Sequence, residues 1–169
     1  MHLTTTREDH RIAWLTALAV AIHMLEAALP SPLPGIKPGL ANVVVIAVLL
    51  RFGWSTAAWV SLLRVLVSGL LLGTFMSPTF MLSLAGAVAS VSILGLATRA
   101  GGVFGPVGYS VLAALAHMGG QFALAFLVFI PHPGLLHLLP VLLSVSLLFG
   151  VVSGILAHHL LRYWPEERR

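Results

Sequence analysis

Cysteine is absent from this 169-residue sequence, and charge is scarce. Aspartate occurs once, at Asp9, lysine once, at Lys37, and Asp, Glu, Lys and Arg together make up 8% of the chain. Without cysteine there is no disulfide, no thiolate nucleophile and no cysteine-ligated metal. Without paired aspartates nothing is in place to hold Mg²⁺ on a diphosphate. A soluble domain carries about 25% charged residues, so this chain cannot clothe a water-facing surface. Nine Lys and Arg against five Asp and Glu give a net charge of +4, but no dense basic stripe, which speaks against nucleic acid as a partner. The sequence also lacks a P-loop, a Gly-x-Ser-x-Gly, a Gly-x-Gly-x-x-Gly opening a helix and a His-Glu-x-x-His. No enzyme signature is present, no cofactor is implied, and an ATP-driven pump cannot be self-contained in this chain.

What is abundant is apolar. Hydrophobic residues make up 59% of the chain and the mean hydropathy is +1.02. Crossing ~30 Å of hydrocarbon takes about 20 mostly apolar helical residues. Apolar runs read against Pro, Gly and charge give six spans, at about 12–29, 39–52, 54–73, 78–98, 106–130 and 135–163. The second is short, about 20 Å at 1.5 Å per residue. Fusing it with the third would place Arg51 and Gly53 inside one very long helix, so a break is expected there. The first run is expected to be retained, because no small-residue cleavage site follows it before the proline-rich stretch. The runs are apolar on all sides rather than alternating, which excludes a transmembrane β-barrel. The expected fold is therefore all-α: a polytopic membrane helix bundle of six transmembrane helices in one domain, residues 1–169. With six spans, Arg7, Arg11, Arg51, Arg99, Arg162, Arg168 and Arg169 share one side, while the other side holds only Lys37. The excess of arginine places both termini in the cytoplasm.

Polar residues within apolar runs mark candidate sites, because a charge inside the bilayer is costly unless it faces the protein interior. Arg64 lies midway along the third span, and Glu26 lies near the outer end of the first, with His23 three residues earlier. Pairing Glu26 with Arg64 is the simplest way to keep both in the membrane; such a pair either fixes helix register or serves a ligand. His117 and Gln121, four residues apart, share a face of the fifth span, with Gly119 and Gly120 between them to admit a close neighbour. Asn42 opens the second span, Ser61 and Ser68 extend the polar face of Arg64, and Ser83 and Ser90 add hydroxyls to the fourth. His132, His137, His158 and His159 have no carboxylate beside them, so no metal site is expected. Small residues recur at helix-contact spacing: Ala17 and Ala21, Gly69 and Gly73, Gly86 and Ser90, and Ser146, Gly150 and Gly154. They fit close packing within the bundle or docking of a partner, the latter open chiefly for the first helix.

One stretch resembles a known signature. Leu33-Pro34-Gly35-Ile36-Lys37-Pro38-Gly39-Leu40-Ala41-Asn42 is similar to the PGxKxGLAN motif of a bacterial membrane family, known both as heptaprenyl diphosphate synthase component I and as Gx transporter. Leu63-Arg64-Val65-Leu66 with Gly69 and Gly73, Phe80-Met81-Leu82-Ser83-Leu84-Ala85-Gly86, and Ala116-His117-Met118-Gly119-Gly120-Gln121 follow in the family's order. The resemblance covers residues 20–130, with two departures: Pro38 stands where the family has an apolar residue, and Met118 where it has Asn.

The resemblance implies an architecture like the substrate-binding S component of energy-coupling-factor transporters, in a bacterial cytoplasmic membrane, with a ligand site near the outer face. Arg64 and Lys37 would then meet an anionic group of an isoprenoid- or cofactor-related solute. Glu26, Asn42, Ser83, His117 and Gln121 would orient it beneath a lid formed by residues 30–38. The partners implied are the lipid bilayer, a small-molecule substrate and an energising ATPase module docked on helix one. The alternative is a non-transporting accessory subunit of polyprenyl diphosphate or quinone metabolism, or of a membrane redox complex.

The absence of native cysteine makes the topology directly testable. Thr5→Cys and Ala100→Cys are expected to react with an impermeant maleimide only from the cytoplasmic side of oriented vesicles, and His132→Cys only from the opposite side. Labelling of Thr5→Cys and Ala100→Cys from different sides would overturn the six-span topology.

Overall fold

The computed structural model describes residues 5–28, 40–101 and 103–164. Lys37 and the proline-rich stretch over residues 30–38 lie outside the described residues. Six α-helices follow one another: α1 Arg7–Ala28, α2 Leu40–Phe52, α3 Trp54–Leu71, α4 Pro78–Arg99, α5 Pro106–Leu124 and α6 Leu139–Tyr163. A π-helical turn, Ala125–Phe129, extends α5, and a 3₁₀ turn, Pro133–Leu138, leads into α6. No strand occurs among the described residues.

Local chemistry sets the helix ends. α1 begins five residues before its apolar run, because Thr6 and Asp9 form a capping box: the Thr6 backbone N–H donates to the Asp9 carboxylate at 2.8 Å and the Asp9 N–H to the Thr6 hydroxyl at 3.2 Å. The Thr6 contacts hold the Asp9 carboxyl below its ordinary value. Ser77 caps α4 by accepting from the Phe80 N–H, and Pro78 and Pro106 occupy first-turn positions where a missing N–H costs nothing. α3 ends in a Schellman motif. Thr74 N–H donates to Gly69 C=O at 2.9 Å and Gly73 N–H to Leu70 C=O at 3.2 Å, with Gly73 at φ 65°. Gly73 is therefore a helix stop. It was expected as the second half of a helix-contact motif with Gly69, but a Cβ there would meet nothing within 4 Å.

Burial is inverted relative to a soluble domain. Trp14, Leu25, Trp59, Leu71, Leu127 and Leu148 are exposed, whereas Glu26, Arg64 and eight Ser or Thr side chains are buried. Four helical segments, Trp54–Leu71, Pro78–Arg99, Pro106–Phe129 and Pro133–Tyr163, are long and apolar enough to cross a membrane. α1 and α2 are not among these four, and α2 stands apart in both length and placement. Residues Val43 to Leu49 are all buried, and α2 touches α1, α3, α5 and α6. An element enclosed on every side needs no polar face, which is why its sequence is uniformly apolar.

Small residues bring the outer helices together. A Cβ on Gly154 would collide with the Val107 backbone, Gly150 meets Val111 and Ala114, and Gly120 meets the Ala85 carbonyl. The motif Ser146, Gly150 and Gly154 is thus the α5–α6 contact, reinforced where the Ser146 hydroxyl donates to Ala114 C=O at 2.8 Å. At the opposite end from the α3–α4 turn, the Arg11 guanidinium lies 4.5 Å from the centre of the Phe52 ring, and Phe52 meets Trp164 edge-on at 6.2 Å. Those contacts tie α1, α2 and the end of α6 together. Gly154→Leu is expected to force α5 and α6 apart and destabilise the bundle by about 1–3 kcal/mol. Thermal unfolding in detergent reads this as a lowered Tm with reduced monodisperse yield, while Gly105→Ala, with nothing within 4 Å, leaves both nearly unchanged.

Candidate functional site

Apolar residues on every outward face leave the inward faces to the polar side chains, and these surround a cavity of about 640 Å³. All six helices contribute. Glu26 comes from α1, Asn42 from the first turn of α2, Arg64 from α3, Ser83 from α4, His117 and Gln121 from α5, and Ser146 and Ser153 from α6. Helical periodicity accounts for the grouping. On α5 the lining residues Ser110, Ala114, His117 and Gln121 follow at intervals of four, three and four, which is one face of a 3.6-residue helix. Arg64 and Ser68 repeat the spacing on α3, as do Ser146, Gly150 and Ser153 on α6. Thr74 and Thr79 carry the lining to the end of the bundle where α3 turns into α4.

Two opposite charges share this space. Glu26 is 4% exposed and Arg64 6%, and the carboxylate acts electrostatically on the guanidinium. His117 stands close enough to feel Arg64 and His23. Its imidazole rests against Gly86, where a Cβ would lie 2.8 Å from Cε1 and Nε2 and 2.9 Å from Gln121 Cγ. Gly86 is thus the gap in α4 that seats both polar side chains of α5.

The hydroxyls divide by direction. Ser92 and Ser144, which are exposed, donate back to the carbonyls of Val88 and Pro140 in their own helices at 2.8 Å. Ser68 in the cavity wall is 2% exposed, and its Oγ has no hydrogen-bond partner among the described residues. His117 Nδ1 is likewise buried and unpartnered there. Native structures rarely leave such groups unsatisfied, because each costs about 1–3 kcal/mol. Of the four such atoms among the described residues, Ser68 Oγ and His117 Nδ1 belong to residues that border the cavity, while Arg11 Nε and Thr16 Oγ1 do not.

Six of the seven residues expected from the sequence (Glu26, Asn42, Arg64, Ser83, His117 and Gln121) border this one cavity. The seventh, Lys37, lies outside the described residues. Ser61 and Ser90 are buried but do not border it. Sequence reasoning missed Ser110, Ser153, Thr74 and Thr79. Ser110 was reachable by stepping back seven residues from His117 along the same face, and Ser153 by the same step from Ser146. No group of three or more His, Asp or Glu able to hold a metal ion occurs among the described residues.

An apolar exterior, buried ionisable groups and helices of bilayer length define an integral membrane protein. The family model described as heptaprenyl diphosphate synthase component I matches residues 15–160, and the chain belongs to that family. Comparison with curated proteins and with solved structures finds no match.

Because Gly86 seats His117 and Gln121, Gly86→Ala is expected to push both side chains off their positions and lower thermal stability by about 1–3 kcal/mol. Gly119→Ala on α5, with nothing within 4 Å, is expected to be neutral or to stabilise by up to about 1 kcal/mol through helix propensity. Calorimetric or fluorimetric melting of the two variants side by side checks the contrast.

Proposed function

We propose that this protein is a small-molecule transporter subunit that binds its solute in the cavity between the six helices. It crosses a bacterial cytoplasmic membrane six times, with both termini inside. The single observation that carries this reading is the convergence of Glu26, Asn42, Arg64, Ser83, His117 and Gln121 on one space, beside two buried polar atoms that lack partners. Ionisable groups within membrane helices line solute pathways more readily than they serve as packing. A cavity of about 640 Å³ falls within the ordinary range for small-molecule sites, roughly 300–1,000 Å³.

In this reading Arg64 and Lys37 receive an anionic group of an isoprenoid- or cofactor-related solute. Glu26, Asn42, Ser83, His117 and Gln121 orient the remainder, and residues 30–38 act as a lid near the outer face. The subunit performs no chemistry of its own. Uphill transport then requires an energising module. Helix α1 offers the place for it, since Ala17 and Ala21 are exposed and border a shallow apolar groove with Leu63, Val67 and Leu71 of α3.

The family's description as a synthase component favours a second reading, a non-transporting accessory subunit of polyprenyl diphosphate or quinone metabolism. The two readings separate by experiment. If the cavity binds solute, full-length protein in nanodiscs gains thermal stability with at least one member of a panel of anionic vitamins, flavins and prenyl diphosphates. Arg64→Ala and His117→Ala remove that gain while folded protein still accumulates. A panel without any shift, together with variants that fail only in assembly of a stoichiometric complex, would establish the accessory role instead.

A further inference from the structure

The central helix α2 begins inside the bundle, and a helix that begins there has donors to account for. The first four N–H groups of an α-helix find no partner within it, and hydrocarbon supplies none. Ala41, Val43 and Val44 are buried, so the first turn of α2 is closed off from bulk water. Gly39, just before the helix in sequence, has no side chain to cap it, and none of the residues from Leu33 to Gly39 carries a side chain that accepts a hydrogen bond. Asn42 is the one residue of α2 in the described lining of the cavity, while Val43 to Leu49 pack into the apolar core. The helix therefore meets the cavity end-on, by its N-terminal turn. The N–H groups of that turn point along the axis toward the cavity, and the helix end carries about half a positive charge.

A second observation comes from α3. Asn42 and Arg64 each lie eleven residues from the break at Gly53, one on α2 and one on α3, about 16 Å along either helix. Both border the cavity. Ser68 is one turn further along α3, away from the break, which is also the direction in which the N–H groups of α2 point. Its hydroxyl borders the same cavity, is 2% exposed and has no hydrogen-bond partner among the described residues. Backbone N–H groups, a spare hydroxyl and a guanidinium are together the donor set that an oxygen-rich anion requires.

We propose that the first turn of α2, with Ser68 and Arg64, is an oxyanion site that holds the carboxylate or phosphate group of the cavity's solute. The proposal rests on the reading of the cavity as a solute site and places the acid group on the backbone end of the central helix. Backbone N–H groups neither titrate nor swing away, so they fix the position of the acid whatever other contacts Glu26 makes. Lys37, three residues before α2 in sequence, carries charge of the attracting sign.

Asn42 is the only asparagine in the chain, so backbone-labelled asparagine gives a single amide signal by NMR, from within the turn itself. Full-length labelled protein in nanodiscs is titrated with benzoate and phenyl phosphate, and with benzamide and benzylamine as their neutral and cationic relatives. The Asn42 amide proton is expected to move downfield, saturably, with at least one of the two anions and to stay in place with the other two compounds. A stronger response to benzoate identifies a carboxylic acid solute, and a stronger response to phenyl phosphate a phosphate ester. Ser68→Ala is expected to weaken the preferred anion by roughly tenfold or more in Kd, as loss of a hydrogen bond to a charged group does. The same variant leaves the ligand-free protein no less stable, because the hydroxyl removed had no partner. Leu40→Pro deletes one N–H at the first helical position, where proline is tolerated, and is expected to weaken binding similarly, whereas Leu40→Ala, which keeps the N–H, does not. Should Leu40→Pro fail to accumulate, Ser68→Ala and the amide signal decide.

An Asn42 amide that ignores both anions, while the panel of vitamins, flavins and prenyl diphosphates still raises thermal stability, would overturn the oxyanion site and leave the cavity a solute site. An amide moved equally by benzamide, or moved by anions with Ser68→Ala without effect on affinity, would overturn it as well. A displacement on Glu26→Gln in ligand-free protein, with none from the anions, would show the Glu26 carboxylate to be the occupant of the turn and would also overturn the proposal. Silence from the amide and from that panel together would overturn the solute site and the oxyanion site with it.

Discussion

A guanidinium and a carboxylate held among leucines and valines impose the constraint to which the rest of this structure answers. On insertion scales a charged side chain near the bilayer centre costs about 2.5–3.5 kcal/mol, and that cost falls only when the charge faces an opposite charge, polar groups or water. Arg64 on α3 and Glu26 on α1 meet these terms by facing one another across a shared space, with 6% and 4% of their surfaces exposed. Once that orientation is set, the rotation of both helices is set. Ser68 and Gly69 turn inward with Arg64, while Trp14, Leu18, Leu70 and Leu71 turn out to the hydrocarbon.

The cavity follows from a second circumstance, the shortness of α2. Its 13 residues cover only about 20 Å, and the helix is enclosed by α1, α3, α5 and α6. One part of the bundle therefore has a central apolar helix as its core. Asn42, in the first turn of α2, already borders the cavity, so the polar space begins where the central helix begins. Close packing elsewhere keeps this space from collapsing. Gly120, Gly150 and Gly154 hold α5 hard against α4 and α6, and Gly86 leaves the notch that His117 and Gln121 fill. Large residues at these positions would separate the helices and small ones at the cavity wall keep it open, so both needs draw on the same short alphabet of Gly, Ala and Ser.

The chain belongs to the heptaprenyl diphosphate synthase component I family and contains a single aspartate, Asp9, at the start of α1. Around the cavity the fold gathers hydroxyls, two amides, two imidazoles, one guanidinium and one carboxylate among the described residues.

Much of this was legible beforehand, for reasons particular to membranes. Hydrocarbon punishes every unsatisfied backbone group, so an apolar run of sufficient length is a helix with little competition, and the boundaries of α2, α3 and α4 match the apolar runs to within about two residues. The polar residues stood out against that background, which is why Glu26, Asn42, Arg64, Ser83, His117 and Gln121 could be named from composition contrast and family resemblance alone. Gly73 misled because spacing cannot separate a contact glycine from a helix stop; only its φ of 65° and the Thr74-to-Gly69 hydrogen bond do. The serines divided in the same way. Ser92 and Ser144 satisfy themselves within their helices and Ser68 does not, a difference of direction that linear order does not carry. The sequence by itself thus determined the helices, the solvent they face and the identity of the costly residues, because each follows from the chemistry of a local stretch in lipid. Only the tertiary structure decided that those residues, drawn from six helices and up to 127 positions apart between Glu26 and Ser153, border one cavity. Which faces meet depends on how the helices rotate and pack against each other, and that is settled by all of them at once.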